Sequence, residues 1–250
     1  MMHKNQLIII FLSIIVLVSV PLNFLLFYIT KNYYFGLNSQ TLDPLGINYY
    51  PPNAHQNQTL NSSQKKVIFF GDSRALAWIS PKEFDKFIFF NRGISGQTTV
   101  QVLGRFNQHI KPLSPDIVIV QVGINDLKNI PLFPKKKEII LFECKSNIAA
   151  IISQSRQLGA VVILTTIFPI AEVPLERKFI WSPDVAIGIK EVNDFIYSLE
   201  NEDVIVVDTT EILANEQGKV KREYRIDLLH INRAGYEALN EKLMPILRGL

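Results

Sequence analysis

The chain has 250 residues, 26 Lys and Arg against 23 Asp and Glu, and a net charge of +3 at neutral pH. That length suits one folded domain plus an appendage. So small a positive excess, with no basic patch interleaved with aromatics, argues against a nucleic-acid partner. A single cysteine, Cys144, excludes an intrachain disulfide, and four scattered histidines supply no metal-ligand cluster, so neither metal nor cofactor is expected. Cys144 falls in helical register with Leu141, Ile148 and Ile151, the place of a small buried core residue.

From Asn5 to Thr30 no residue is charged, and Leu7 to Val20 is almost wholly apolar. About 20 such residues span a bilayer. The run has no polar face that would suit packing on a soluble core, and no small-residue cleavage pattern follows it. Residues 1–30 are therefore expected to be an uncleaved, single-pass membrane anchor. A signal peptide is the alternative, and its removal would make the protein secreted. Lys4 and the α-amino group precede the run and Lys31 follows it, which slightly favours an inside N-terminus and an extracytoplasmic domain. Residues 31–65 read as a polar linker, rich in Asn, Gln, Ser and Pro, without a period and including Pro51-Pro52. Tyr33, Tyr34 and Phe35 stand where amphipathic rings suit a membrane interface.

From Lys66 onward short apolar runs alternate with amphipathic patterns. Val67 to Phe70, Phe87 to Phe90, Ile117 to Gln121, Val161 to Thr165 and Val204 to Val207 are brief, rich in β-branched or aromatic residues, and bounded by turn signals, as buried strands are. Between them Val100, Leu103, Phe106 and Ile110 keep one helical face, and so do Leu141, Cys144, Ile148, Ile151 and Ile152. The last helix is predicted to start behind an Asn232 cap, with Tyr236, Leu239, Leu243 and Ile246 inward. This alternation predicts a three-layer α/β/α sandwich over residues 66–250, with a central, mostly parallel five-stranded sheet of flavodoxin-like type.

In such sheets ligands bind beyond the carboxyl ends of the strands. Gly71-Asp72-Ser73 follows the first strand and Asn91 to Thr99, with Gly93 and Gly96, the second. Gly123-Ile124-Asn125-Asp126 follows the third, and Asp227-Leu228-Leu229-His230 precedes the last helix. A serine hydroxyl attacks only when a base takes its proton, and an imidazole needs a carboxylate to fix its tautomer. His3 precedes the anchor, His55 lies in the linker and His109 sits within a helix, so His230, with Asp227 beside it, is the candidate base. The glycine turn and the Asn125 amide can donate to a developing oxyanion, whereas Asp126, if ionised, suits only a structural turn.

These four stretches resemble the four sequence blocks of the SGNH hydrolases, the GDSL-type lipases and esterases. The resemblance covers Val67 to Leu250 and implies a serine hydrolase of carboxylic esters. Ser73 would be the nucleophile, Asp227 and His230 the Asp-x-x-His pair, and Ser73, Gly96 and Asn125 the oxyanion hole. Three departures bear on the acyl pocket: Arg74 where the family often has Leu, Leu228 for a usual Gly, and Ile231 for a usual Pro. The expected substrate is a small-molecule, lipid or glycan ester, and the acceptor is water or, in an O-acyltransferase, a sugar hydroxyl. A tethered binding domain without turnover is the remaining alternative. The long stretch from Phe168 to Lys190 is where substrate contacts are sought, with Phe179 and Trp181 as candidate pocket walls and Arg74 as a further candidate contact.

Overall fold

The computed structural model describes residues 3–50, 64–81 and 86–250. Pro51-Pro52 and His55 lie outside the described residues. The chain divides into two compact units, Met1–Pro44 and Leu45–Leu250.

The first unit is one helix, α1 (Lys4–Leu42), long and apolar enough to cross a membrane by length and composition. Three of its polar side chains turn back to the carbonyl four residues earlier. Asn23 Nδ2 donates to Ser19 O at 2.8 Å, Asn38 Nδ2 to Tyr34 O at 2.8 Å and Thr41 Oγ1 to Leu37 O at 3.0 Å. The helix continues through Lys31–Leu42, a stretch expected to be linker. A second difference lies just beyond. Leu45–Tyr50 belongs to the second unit, where side chains of that unit bind its backbone carbonyls. Such a segment has no hydrophobic period, so it is indistinguishable from a linker in the sequence.

The second unit is built on five parallel strands: β1 (Lys65–Gly71), β2 (Phe87–Gly93), β3 (Ile117–Gln121), β4 (Val161–Thr165) and β5 (Val204–Val207), in the order β2-β1-β3-β4-β5. Alternate residues of the same strands enter two separate cores, as the period of two requires. Ile68, Phe70, Val118, Val120, Val162 and Leu164 share one core with Val102 of α3 (Thr99–Gly104). The same core takes residues of α6 (Lys137–Gln157) and α7 (Asp184–Ser198). Val67, Phe69, Ile117, Ile119 and Ile163 share the other with Leu213 of α8 (Thr209–Leu213) and with α9 (Arg233–Gly249). The result is the three-layer α/β/α sandwich. Short helices α2 (Ser73–Leu76), α4 (Phe106–His109) and α5 (Ile124–Leu127) complete it.

Two helical faces differ in detail from expectation. The Val100–Ile110 pattern is split at Arg105 into α3 and α4; Val100 is exposed and Val102 takes its place in the core. In α9, Asn232 caps the first turn by accepting from Gly235 N at 3.1 Å, and Tyr236, Leu239, Leu243 and Leu247 are buried. Ile246 is only partly so. Cys144 is buried, and that burial raises its thiol pKa well above the ordinary value.

Candidate active site

β1 lies between β2 and β3, so the turns after all three strands meet at one edge of the sheet. The first turn is tight because Gly71 abuts the next strand; a Cβ there would sit 1.8 Å from Gln121 O. Asp72 then caps α2, accepting from Arg74 N at 2.9 Å, and Ser73 is the first helical residue. The turn after β2 is fastened to it, since Ile94 N donates to Gly71 O at 3.0 Å. It also presents Gly96 at φ 78°, a left-handed conformation that glycine adopts without strain.

Ser73 Oγ lies 2.9 Å from His230 Nε2. On the opposite side of the ring, His230 Nδ1 is 2.8 Å from Asp227 Oδ2 and 3.0 Å from Oδ1. Asp227 Oδ1 also accepts from Leu229 N and His230 N, each at 2.8 Å, closing an Asx-type turn that fixes the carboxylate to the histidine backbone. Burial alone would raise the Asp227 carboxyl. The bonds from the imidazole and the two N–H groups outweigh it and hold the pKa below its ordinary value, so the group stays an anion. The two departures in this loop are core residues here. Leu228 and Ile231 are buried, one in each core, and Ala171 N ties the loop down by donating to Leu228 O at 2.9 Å.

Asn125 is buried at the start of α5, and two neighbours fix its amide. Lys128 Nζ, a donor only, reaches Asn125 Oδ1 at 2.6 Å; Gln97 O, an acceptor only, takes a hydrogen from Nδ2 at 3.0 Å. These roles leave one orientation of the amide, and Nδ2 keeps a second hydrogen. Burial lowers the Lys128 pKa, while the negative charge of Asp72 raises it. Asp126 turns the other way and caps α3, accepting from Thr99 N at 2.9 Å and Thr99 Oγ1 at 2.7 Å. The β2 and β3 turns are thereby cross-linked.

Arg74, Phe179 and Trp181, the candidate substrate contacts, have three different surroundings. Arg74 is fully buried, its guanidinium donating to Leu229 O at 2.9 Å and Phe168 O at 3.2 Å and lying 5.1 Å from the Phe168 ring centroid. It binds the Asp227–His230 loop to the serine turn. Burial lowers its pKa to about 10 and raises that of nearby Asp72 to about 6, each opposed by the other's charge. Phe179 is 94% exposed, while Trp181 packs partly buried against the core. Both lie in the connection from β4 to α7, whose one short helical element is a 3-10 turn, Leu175–Arg177.

Lys128 and the buried Arg105 are contributors that the sequence reading did not single out. Arg105 Nη2 donates to Gly71 O at 2.8 Å, Nη1 to Arg92 O at 2.8 Å and Nε to Gln97 Oε1 at 2.5 Å. Lys128 stands three residues after Asn125 on a short helix, a spacing that brings side chains together. Nothing in the sequence marks Arg105 as buried, because arginines are ordinarily exposed.

Arg74→Leu, which would install the residue common in the family, is expected to destabilise this protein. Two carbonyls would lose their donor and Asp72 its nearby cation. Removing one member of such a buried set typically costs about 3–5 kcal/mol, which for a domain of this size lowers the Tm by about 6–20 °C. Thermal unfolding followed by circular dichroism tests it; a Tm within 2 °C of wild type, about the effect of a neutral surface change, would refute the structural role.

A family model for the GDSL-like lipase/acylhydrolase family matches residues 70–238. Among solved structures, a GDSL-like lipase from Bacteroides thetaiotaomicron is similar at TM-score 0.67 and 24% identity, over 82% of this chain and 99% of that one. An acetylxylan esterase from Geobacillus stearothermophilus is similar at TM-score 0.55 and 20% identity, over 73% and 94%. Both likenesses concern the fold. In sequence, an acetylxylan esterase from Geobacillus stearothermophilus is 31% identical over 81 residues, a stretch covering 31% of this chain and 36% of that protein. With the family model spanning the serine turn, the Asn125 turn and the Asp-x-x-His loop, the chain belongs to the GDSL-like lipase/acylhydrolase family, a family of ester-cleaving enzymes.

Proposed function

We propose that the protein hydrolyses carboxylic esters through an acyl-enzyme on Ser73, with His230 as base and Asp227 as its orienting anion. The observation that carries this reading is the unbroken line of contacts from Ser73 Oγ to His230 Nε2 at 2.9 Å and from His230 Nδ1 to Asp227 at 2.8 Å. In the first step the Ser73 oxygen bonds to the ester carbonyl carbon while its proton passes to His230 Nε2. The carbonyl oxygen becomes an oxyanion, which the N–H groups of Ser73 and Gly96 and the free hydrogen of Asn125 Nδ2 would receive. Collapse breaks the bond to the leaving alcohol, which takes the proton from His230. Water then repeats the sequence, its proton going to His230 and its oxygen to the acyl carbon, and Ser73 leaves with a proton.

Acetyl esters of sugars are the substrate class we favour, on the strength of the partial likeness to an acetylxylan esterase. The partly exposed His230 and Asp227, 36% and 54% in their side chains, suit an open site where a bulky alcohol can remain in solvent while a short acyl group is held. We also propose that α1 anchors the protein in a membrane with the catalytic unit outside the cytoplasm, on the strength of its length and apolar composition.

A membrane-impermeant fluorophosphonate applied to intact cells tests both readings at once. The expected product is a full-length chain in the membrane fraction, labelled on Ser73, that in detergent cleaves acetylated sugars faster than palmitoyl esters. No label on purified, folded protein would overturn the enzyme reading. A labelled, shortened chain in the medium would replace the anchor with a signal peptide.

A further inference from the structure

The segment that follows α1 in the chain is attached to the rest of its unit at three points, two of them at the turn beside Ser73 and one in α4. Gln97 Nε2 donates to Leu45 O at 2.8 Å, His109 Nε2 lies 3.0 Å from Ile47 O, and the Tyr50 hydroxyl donates to Gly93 O at 2.6 Å. Arg92 lies over the Tyr50 ring at 4.6 Å, and His109 meets the ring edge-on at 5.5 Å. Gly46 and Gly104 allow the approach: a Cβ on Gly46 would come 2.9 Å from Ile94, and one on Gly104 2.9 Å from Leu45. Burial raises the Tyr50 phenol to about 12, so its hydroxyl keeps its proton at neutral pH.

The partners matter more than the number of bonds. Gly93 leads into the loop that carries Gly96. Gln97 ends that loop, and its carbonyl holds the Asn125 amide. Its side chain is gripped from two sides, by Leu45 O and by Arg105, which also holds Gly71 O. Oxyanion donors act only when they lie within a few tenths of an ångström of their working positions, and a misplacement of about 1 Å can cost 10²-fold in rate.

We propose that Leu45–Tyr50 is a strap that holds the oxyanion loop in register with Ser73, making Tyr50 and Gln97 positioning residues for acyl transfer. This rests on the ester-hydrolase reading. It means that the catalytic machinery begins at Leu45, well before the first strand.

The test uses the full chain in detergent. Tyr50→Phe removes only the hydroxyl donation, and Gln97→Glu removes the donor to Leu45 O while keeping an acceptor for Arg105. Each variant is expected to lose about tenfold in kcat on an acetyl ester with KM within twofold of wild type. Each should also show a Tm within about 3 °C and faster hydrogen exchange at the amides of residues 93–97. Unchanged kcat together with unchanged exchange would overturn the strap. So would a kcat loss that merely tracks a fall in folded protein, since a structural role predicts that and no selective effect on kcat. The exchange measurement needs no turnover. If wild type neither cleaves esters nor labels, the enzyme reading fails, while faster exchange in Tyr50→Phe still reports the strap's hold on the loop.

Discussion

Ser73→Ala should lower ester turnover by about 10⁴–10⁶-fold and leave the Tm nearly unchanged. The hydroxyl stands 2.9 Å from His230 Nε2, where the proposed acyl bond would form, and Ser73 is only partly buried. His230→Ala should fall as far, because without the base the serine remains a protonated alcohol. The double variant should be no worse than either single one, since two residues acting on one proton transfer do not add. Asp227→Asn is the sharper comparison. Asn can keep an oxygen for the N–H groups of Leu229 and His230, so the turn survives, but it can present its NH2 to His230 Nδ1. The proton of the ring is then driven to Nε2, where it faces the serine and cannot accept. A loss of about 10⁴ is expected from that wrong tautomer alone. Steady-state kinetics with active-site titration check all four. A double variant markedly slower than both singles, or Ser73→Ala with more than about 1% of wild-type kcat, would remove Ser73 and His230 from a shared proton transfer.

The parts of this fold that were legible share one physical trait: their sequence pattern is set by burial. Val118 and Val120 must fill one core and Ile117 and Ile119 the other, so β3 is apolar throughout and announces itself. Asn232 is readable as a cap because its side chain bonds to the backbone three residues on, a purely local event. Asp227 and His230 are local in the same way. Arg74 and Arg105 are the opposite case. Their burial depends on carbonyls from segments distant in sequence, Leu229 and Phe168 for one, Gly71 and Arg92 for the other, which no periodicity encodes. The strap was missed for the same reason. The bonds to Gln97 and His109 are accepted by its own carbonyls, which carry no residue identity, and the bond to Gly93 comes from one tyrosine. Phe179, a candidate pocket wall, stands 94% exposed, and an exposed aromatic and a pocket aromatic look alike in sequence.

Asn125→Ala is expected to lower kcat by about 10²–10³ with little change in KM, a loss of ~3–4 kcal/mol of transition-state stabilisation. The amide's surroundings explain why the loss should fall on kcat. Lys128 holds Oδ1 and Gln97 O holds one hydrogen of Nδ2, so the remaining hydrogen is aimed before substrate arrives. In the proposed mechanism a ground-state carbonyl would gain little from it, but the full charge of the tetrahedral oxygen would gain a great deal in this partly desolvated setting. Lys128 adds to this by placing a cation on the far side of the amide, which draws electron density from the N–H. Asn125→Asp separates shape from charge. Its carboxylate can still pair with Lys128, yet it faces Gln97 O without a hydrogen and repels the oxyanion, so it should be at least as slow as Asn125→Ala. Fluorophosphonate labelling of Ser73 should slow in both variants, because the adduct oxygen occupies the same position. Were Asn125 only a brace for the Gln97 turn, both variants would lose kcat only in step with faster hydrogen exchange at residues 93–97. Raised KM with unchanged kcat would instead make the amide a substrate-binding group.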